Sequence, residues 1–112
     1  MEVEQTARLS DILEAVRRID SYVSGISKGE FLRNGEKQDA VIRRIEIIGE
    51  ATSHLTPETL ALLSDLPYRK MRGMRNIVAH DYGNVDIEIV WEVATVHLKV
   101  VREILECFLK TN

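Results

Sequence analysis

The sequence predicts an all-α fold of four to five helices that pairs as a homodimer. Apolar residues recur at three- and four-residue spacing through most of the 112-residue chain. No stretch carries the two-residue alternation of a strand, and there is no internal repeat or low-complexity segment. Only two prolines and six glycines punctuate it, which favours a few long elements over many short ones.

Leu9, Ile12, Leu13, Val16, Ile19, Tyr22, Val23 and Ile26 mark the first helix, with Arg17, Arg18 and Asp20 on its other face. Thr6 or Ser10 is placed to cap its start, and Gly25 and Gly29 weaken its end. Phe31 and Leu32 then read as an apolar anchor within a loop or broken turn. A second helix is expected from Glu36 to His54, with Ala40, Val41, Ile45, Ile48 and Ala51 as its buried stripe and Ile42 and Ile47 widening it. Gly49 interrupts that stripe at a cost of about 1 kcal/mol relative to Ala, so a close helix crossing is expected there. Thr56-Pro57 caps and starts a short third helix, from Pro57 to Ser64. Leu66-Pro67 opens a fourth, whose apolar side is Met71, Met74, Ile77 and Val78 and which stops near His80, where Asp81-Tyr82-Gly83-Asn84 is turn-forming.

Asp86 caps a long last helix reaching Leu109 that carries two apolar seams. One is Ile87, Trp91, Ala94, Leu98, Val101, Leu105 and Phe108; the other is Val90, Val93, His97, Val100, Ile104 and Cys107. Apolar contact on two sides fits either a central helix of one bundle or a helix that also covers a second subunit. With so few helices per chain, the homodimer is favoured.

At this length residues 1–112 form a single domain that buries roughly two-thirds of the surface of its unfolded chain. Hydrophobic content of 45% with 29% charged residues is that of an ordinary globular protein. No apolar run is long enough to span a membrane, and the first ten residues, with Glu2 and Glu4, do not make a secretory signal. The single cysteine, Cys107, fits a reducing cytoplasm and reads as packing. The net charge of −3 argues against a uniformly basic nucleic-acid-binding surface. Its distribution is uneven: no acid lies between Asp65 and Asp81, where Arg69, Lys70, Arg72 and Arg75 fall. That pattern fits either one anionic ligand site or a solvated helix face.

The chemistry concentrates between Arg75 and Tyr82, where a fixed cation, a carboxamide (Asn76), an imidazole (His80) and a phenol lie within eight residues. These are groups that hold a phosphate and move a proton near neutral pH. On a helix Arg75 and His80 lie about 140° apart, whereas Asn76 and His80 share a face, so Asn76 can set the imidazole tautomer. Arg75 must then meet the same substrate across the helix end or from a second subunit. The helix C-terminus favours imidazolium by about 0.3–1 kcal/mol, which suits general-acid work. It also repels phosphate, so Arg75 and Arg72 must supply the anion binding. The plainer reading is capping and surface pairing. His54 reads as a helix-end residue and His97 as a satisfied core histidine. No His–Glu pairing has metal-ligand spacing and no Gly-rich phosphate loop is present, so neither metal nor cofactor is expected.

The segment MRGMRNIVAHDYGNVD resembles the signature of HEPN-domain proteins, and among them the HepT-type branch: Arg, a polar residue, three more, His, any residue, Tyr. QDAVIRRIEIIGEA, from Gln38 to Ala51, is similar to that branch's second helix, and Phe31-Leu32 and Leu66-Pro67 also fit, so the resemblance covers nearly the whole chain. Tyr68 stands where similar sequences often carry Trp. The resemblance implies an antiparallel, up-and-down HEPN-like bundle of four to five helices that dimerises so that two motif copies line one cleft, and a metal-independent endoribonuclease acting on RNA. It implies that Arg75 and His80 serve the cleavage, with Asn76 and Arg72 supporting. It further implies that the chain is the toxin of a toxin–antitoxin module. There a minimal nucleotidyltransferase antitoxin silences it by transferring AMP to Tyr82. RNA supplies its own 2′-hydroxyl nucleophile, so the cleft needs only charge stabilisation and an acid–base group.

A rival from another class is a non-catalytic nucleotide-binding module or substrate-recognition subunit of a minimal nucleotidyltransferase, which the acidic net charge favours. A third is a structural helical dimer. The complete Arg–Asn–His–Tyr set favours the nuclease, because a scaffold has no need of an imidazole beside a fixed cation.

Overall fold

A computed structural model describes residues 1–79 and 85–111, with side chains placed for 1–76 and 85–110. Among the described residues the chain is all-helical, and no helix is long and apolar enough to cross a membrane. Helix α1 (Val3–Val23) starts earlier than its apolar stripe indicates. Neither Thr6 nor Ser10 caps it: both lie inside the helix, and the N-cap is Glu2, which makes no side-chain capping bond. Gln5, polar yet buried, extends the inward face by one turn, which a purely apolar count overlooks. The helix ends before Gly25, whose φ of +81° is a left-handed turn that costs a glycine little.

Phe31 and Leu32 belong to a one-turn helix, α2 (Lys28–Leu32), and not to a loop. Ser27 Oγ caps it by accepting from Glu30 N at 3.1 Å. Five residues are too few to display a helical period, so only the cap and the burial reveal it. Phe31 is fully buried, its ring centroid 5.2 Å from that of Trp91. Helix α3 (Gly35–Ser53) runs as its pattern predicts, with Val41, Ile45 and Ile48 fully buried. Helix α4 (Pro57–Leu62) is capped by Thr56, whose hydroxyl accepts from Thr59 N at 3.2 Å; it stops two residues before Ser64. Helix α5 (Tyr68–Ala79) buries Met71 and Met74. The expected apolar contribution of Ile77 and Val78 lies outside the described side chains.

Asp86 caps α6 (Ile87–Glu92), its Oδ1 accepting from Glu88 N at 3.0 Å. A π-helical turn, Val93–His97, joins it to α7 (Leu98–Thr111), so the last helix is continuous but not uniformly α. Thr95 Oγ1 donates back to Trp91 O at 2.8 Å in this turn.

Helix α1 lies between α3 and α7, and α5 packs on α3. The body measures 42 × 30 × 19 Å, about two helix diameters in its thinnest direction. Of the two seams on the last helix, the first is consumed within the chain, with Ala94, Leu98, Val101 and Leu105 buried. The second splits. Val90 and Val93 are buried, while Val100 is 50% exposed, the neighbouring Val96 is 56% exposed, and Cys107 is exposed and not packed inside. His97 is not a core histidine either: it is partly exposed, and its Nε2 lies 3.5 Å from Glu92 Oε1.

One buried polar group ties the ends of this framework together. The Gln5 amide donates to His54 O at 3.0 Å and its oxygen accepts from Thr56 N at 2.9 Å. The carboxamide thereby satisfies two backbone groups at the α3–α4 junction that burial would otherwise leave unpaired.

Candidate active site

The approach of α5 to α3 is made possible by Gly49. A Cβ added there would lie 2.5 Å from Arg75 Cγ and 2.8 Å from Arg75 N, closer than packed atoms allow. The glycine that interrupts the α3 stripe is thus the seat of Arg75, as a close crossing requires. The next residue, Glu50, meets the guanidinium, with Oε2 3.6 Å from Arg75 Nε. Its other oxygen, Oε1, is 3.0 Å from His54 Nε2, one helical turn further along α3. The hydrogen bond with His54, and then the charge of Arg75, hold the Glu50 carboxyl below the ordinary glutamate range.

These contacts form a chain of support. Gln5 holds the His54 backbone, the His54 ring engages Glu50, and Glu50 engages Arg75. His54 is the C-cap residue of α3, a helix-end position as its sequence context suggests. Its engagement with the site is a relation that the order of residues does not display. The available signal was Glu50 and His54 four apart on a helix, directly after a glycine that marks a crossing.

Arg75 meets Glu50 most closely through Nε. Its side chain is half exposed. It lines a groove of about 370 Å³ together with Ser53, Arg69, Arg72, Gly73 and Asn76. The structure therefore brings together three of the expected site residues, Arg72, Arg75 and Asn76, on one open and strongly cationic surface. His80 and Tyr82 lie outside the described residues, as does the expected contact between Asn76 and His80. Among the described residues no cluster of three or more His, Cys, Asp or Glu is placed to hold a metal ion.

Residues 12–108 match the family model described as "Ribonuclease HepT-like". The chain is 37% identical over 84 residues to "Probable ribonuclease HepT" of Thermococcus cleftensis, covering 75% of this chain and 76% of that one. It is 31% identical over 104 residues to "Putative RNase MJ1216" of Methanocaldococcus jannaschii, covering 93% of this chain and 86% of that protein. A third relative, "Gamma-glutamylcyclotransferase and putative RNase MJ0434" of the same organism, is 37% identical over 95 residues. That stretch is 85% of this chain but only 43% of the relative, so the chain spans less than half of that protein. No solved structure matches significantly.

Proposed function

The chain belongs to the HepT-like ribonuclease family, and on that premise we propose that it is a toxin that cleaves RNA internally without a metal ion. The carrying observation is Arg75, seated on Gly49, steadied by Glu50 and open to a cationic groove. In the proposed reaction the 2′-hydroxyl attacks the adjacent phosphorus, and the P–O bond to the 5′-oxygen of the next nucleotide breaks. Arg75 stabilises the extra charge on the phosphorane-like transition state through its terminal nitrogens. His80, as imidazolium, gives its proton to the departing 5′-oxygen. The 2′-hydroxyl proton passes to the partner subunit's His80. The products are a 2′,3′-cyclic phosphate and a 5′-hydroxyl. Asn76 sets the tautomer of His80, and Arg72 adds positive charge beside the scissile phosphate.

The half-covered second seam of the last helix supports the homodimer that this scheme uses. Val96 and Val100 expose valine on successive turns, a stripe that the chain's own core does not cover. Pairing would bring two motif copies to one cleft and so meet the separation of Arg75 and His80 that their spacing predicts.

Glu50 is expected to orient Arg75 while its negative charge weakly opposes RNA. Glu50→Gln should therefore lower kcat and KM together, a pattern that distinguishes loss of orientation from loss of folding. Steady-state cleavage kinetics read this directly. A kcat equal to that of the parent would show that Arg75 needs no support from α3.

Tyr82 is the proposed off-switch. A minimal nucleotidyltransferase antitoxin would direct the Tyr82 oxygen onto the α-phosphorus of ATP, forming a phenolic phosphodiester to AMP and releasing pyrophosphate. The adduct adds bulk and negative charge where a phosphate must enter. Intact-protein mass spectrometry after co-expression with the partner should find one or more AMP groups, with the first on Tyr82. A protein that stays unmodified, or modification elsewhere, would remove this mechanism.

A further inference from the structure

The groove beside Arg75 holds more positive charge than one scissile phosphate requires. Among the described residues Arg8, Arg17, Arg18, Arg43, Arg75 and Arg102 each pair with a carboxylate. Arg69 and Arg72 line the groove, are exposed, and have no ion pair among the described residues. Their neighbourhood in the chain contains no acid from Tyr68 to His80. Two exposed guanidinium groups with no counter-charge among the described residues, beside a third, present a concentrated positive charge to an anion.

Spacing gives that anion a shape. Arg69, Arg72 and Arg75 are three residues apart in turn, so each step rises about 4.5 Å and lags about 60° around α5. They form a shallow spiral of cations about 9 Å long, suited to consecutive phosphates of one strand and too long for a single phosphate. Gly73 forms part of the floor, and a Cβ added there meets nothing within 4 Å. Ser53 donates its hydroxyl proton to Glu50 O at 2.7 Å, so the arginines and the Asn76 amide, not Ser53, supply the donors. Among the described residues no apolar side chain lines the groove, which disfavours a protein segment, whose interface would bury an apolar centre.

We propose that Arg69 and Arg72 bind the next two backbone phosphates on one side of the scissile one, so that a single RNA strand lies along α5 with its reacting phosphate at Arg75. This deepens the ribonuclease reading and rests on it for the placement of the scissile phosphate. Arginine suits the task because its planar fork binds a phosphate through two hydrogen bonds and never loses its charge.

The test is binding of a fluorescent, all-2′-deoxy oligonucleotide to the purified protein, followed by anisotropy over a range of salt concentrations. Such a strand lacks the nucleophile, so binding is read apart from cleavage. Each of Arg69→Gln and Arg72→Gln should flatten the slope of log K against log salt by about 0.7, the value for one single-strand phosphate contact. In RNA cleavage each should raise KM more than it lowers kcat. Gly73→Glu, which sets a carboxylate on the open floor, should weaken binding further, and Gly73→Ala, which adds bulk without charge, should weaken it less. Unchanged slopes in both arginine variants overturn the phosphate track and leave the groove to an acidic protein partner. A parent protein that shows the salt-dependent binding and the arginine effects yet cuts no RNA would instead overturn the ribonuclease reading alone.

Discussion

Replacing His80 by Ala is expected to abolish RNA cleavage while leaving the helical content of the bundle unchanged. General acid–base catalysis by a placed side chain is worth about 10²–10⁴ in rate, and His80 is the group assigned to protonate the departing oxygen. Removing Arg75 should cost about 10²–10³ through lost charge stabilisation. Because both residues are proposed to act on one transition state, the double variant should lose much less than the product of the two single losses. Circular dichroism of His80→Ala beside the parent, together with cleavage assays, separates chemistry from folding. A His80→Ala protein that cleaves RNA at the parent rate would remove His80 from the mechanism. In cells the same substitution should relieve growth inhibition, which a non-catalytic recognition subunit has no reason to show.

The second large effect is expected at Gly49. A Cβ at this position would stand 2.8 Å from the backbone nitrogen of Arg75, which cannot rotate away as a side chain can. Gly49→Ala must therefore push α5 off α3. Overpacking of this kind costs about 1–3 kcal/mol, against about 1 kcal/mol regained from helix propensity. Stability should fall on balance. Activity should fall further, because a displacement of about 1 Å at a catalytic group can cost about 10²-fold in rate. Gly73, in the same helix pair but facing open space, supplies the contrast: Gly73→Ala should stabilise α5 by up to about 1 kcal/mol. Urea denaturation of both variants reads the difference. Equal stability and equal cleavage in the two would show that the crossing does not seat Arg75.

The helices were legible wherever a long apolar stripe met a chemical punctuation mark. Thr56 before Pro57 and Asp86 before Ile87 cap helices as their side chains predict. Gly49 announced a crossing because nothing else justifies a glycine in a buried stripe. What escaped was short or polar. Helix α2 is a single turn, the start of α1 is carried by the buried amide of Gln5, and the π turn at Val93–His97 leaves no mark on the apolar spacing.

The candidate site divides in the same way. Arg72, Arg75 and Asn76 could be read as a local cation-rich surface, because helical neighbours are fixed by their spacing, and they do share one groove. The pairing of Glu50 with Arg75 could not, since only the crossing of α3 and α5 brings a carboxylate of one helix to the guanidinium of the other. The lowered pKa of Glu50 has a consequence for assays. Whatever stability its ionised form contributes is fully present above the ordinary glutamate value and is lost as pH falls through the lowered one. Glu50 therefore stays ionised across the neutral range, and a change in cleavage rate there reports another group, with His80 the assigned one.

The account depends most on the claim that this family member cuts RNA by using the substrate's own 2′-hydroxyl. The direct measurement incubates purified protein, made without the proposed nucleotidyltransferase partner, with total RNA in the presence and absence of a chelator, followed by analysis of the new ends. Cleavage that survives the chelator, leaves 2′,3′-cyclic phosphate ends and disappears in His80→Ala is the predicted result. Cleavage that stops when divalent metal is removed, or no cleavage by the unmodified protein, would contradict it.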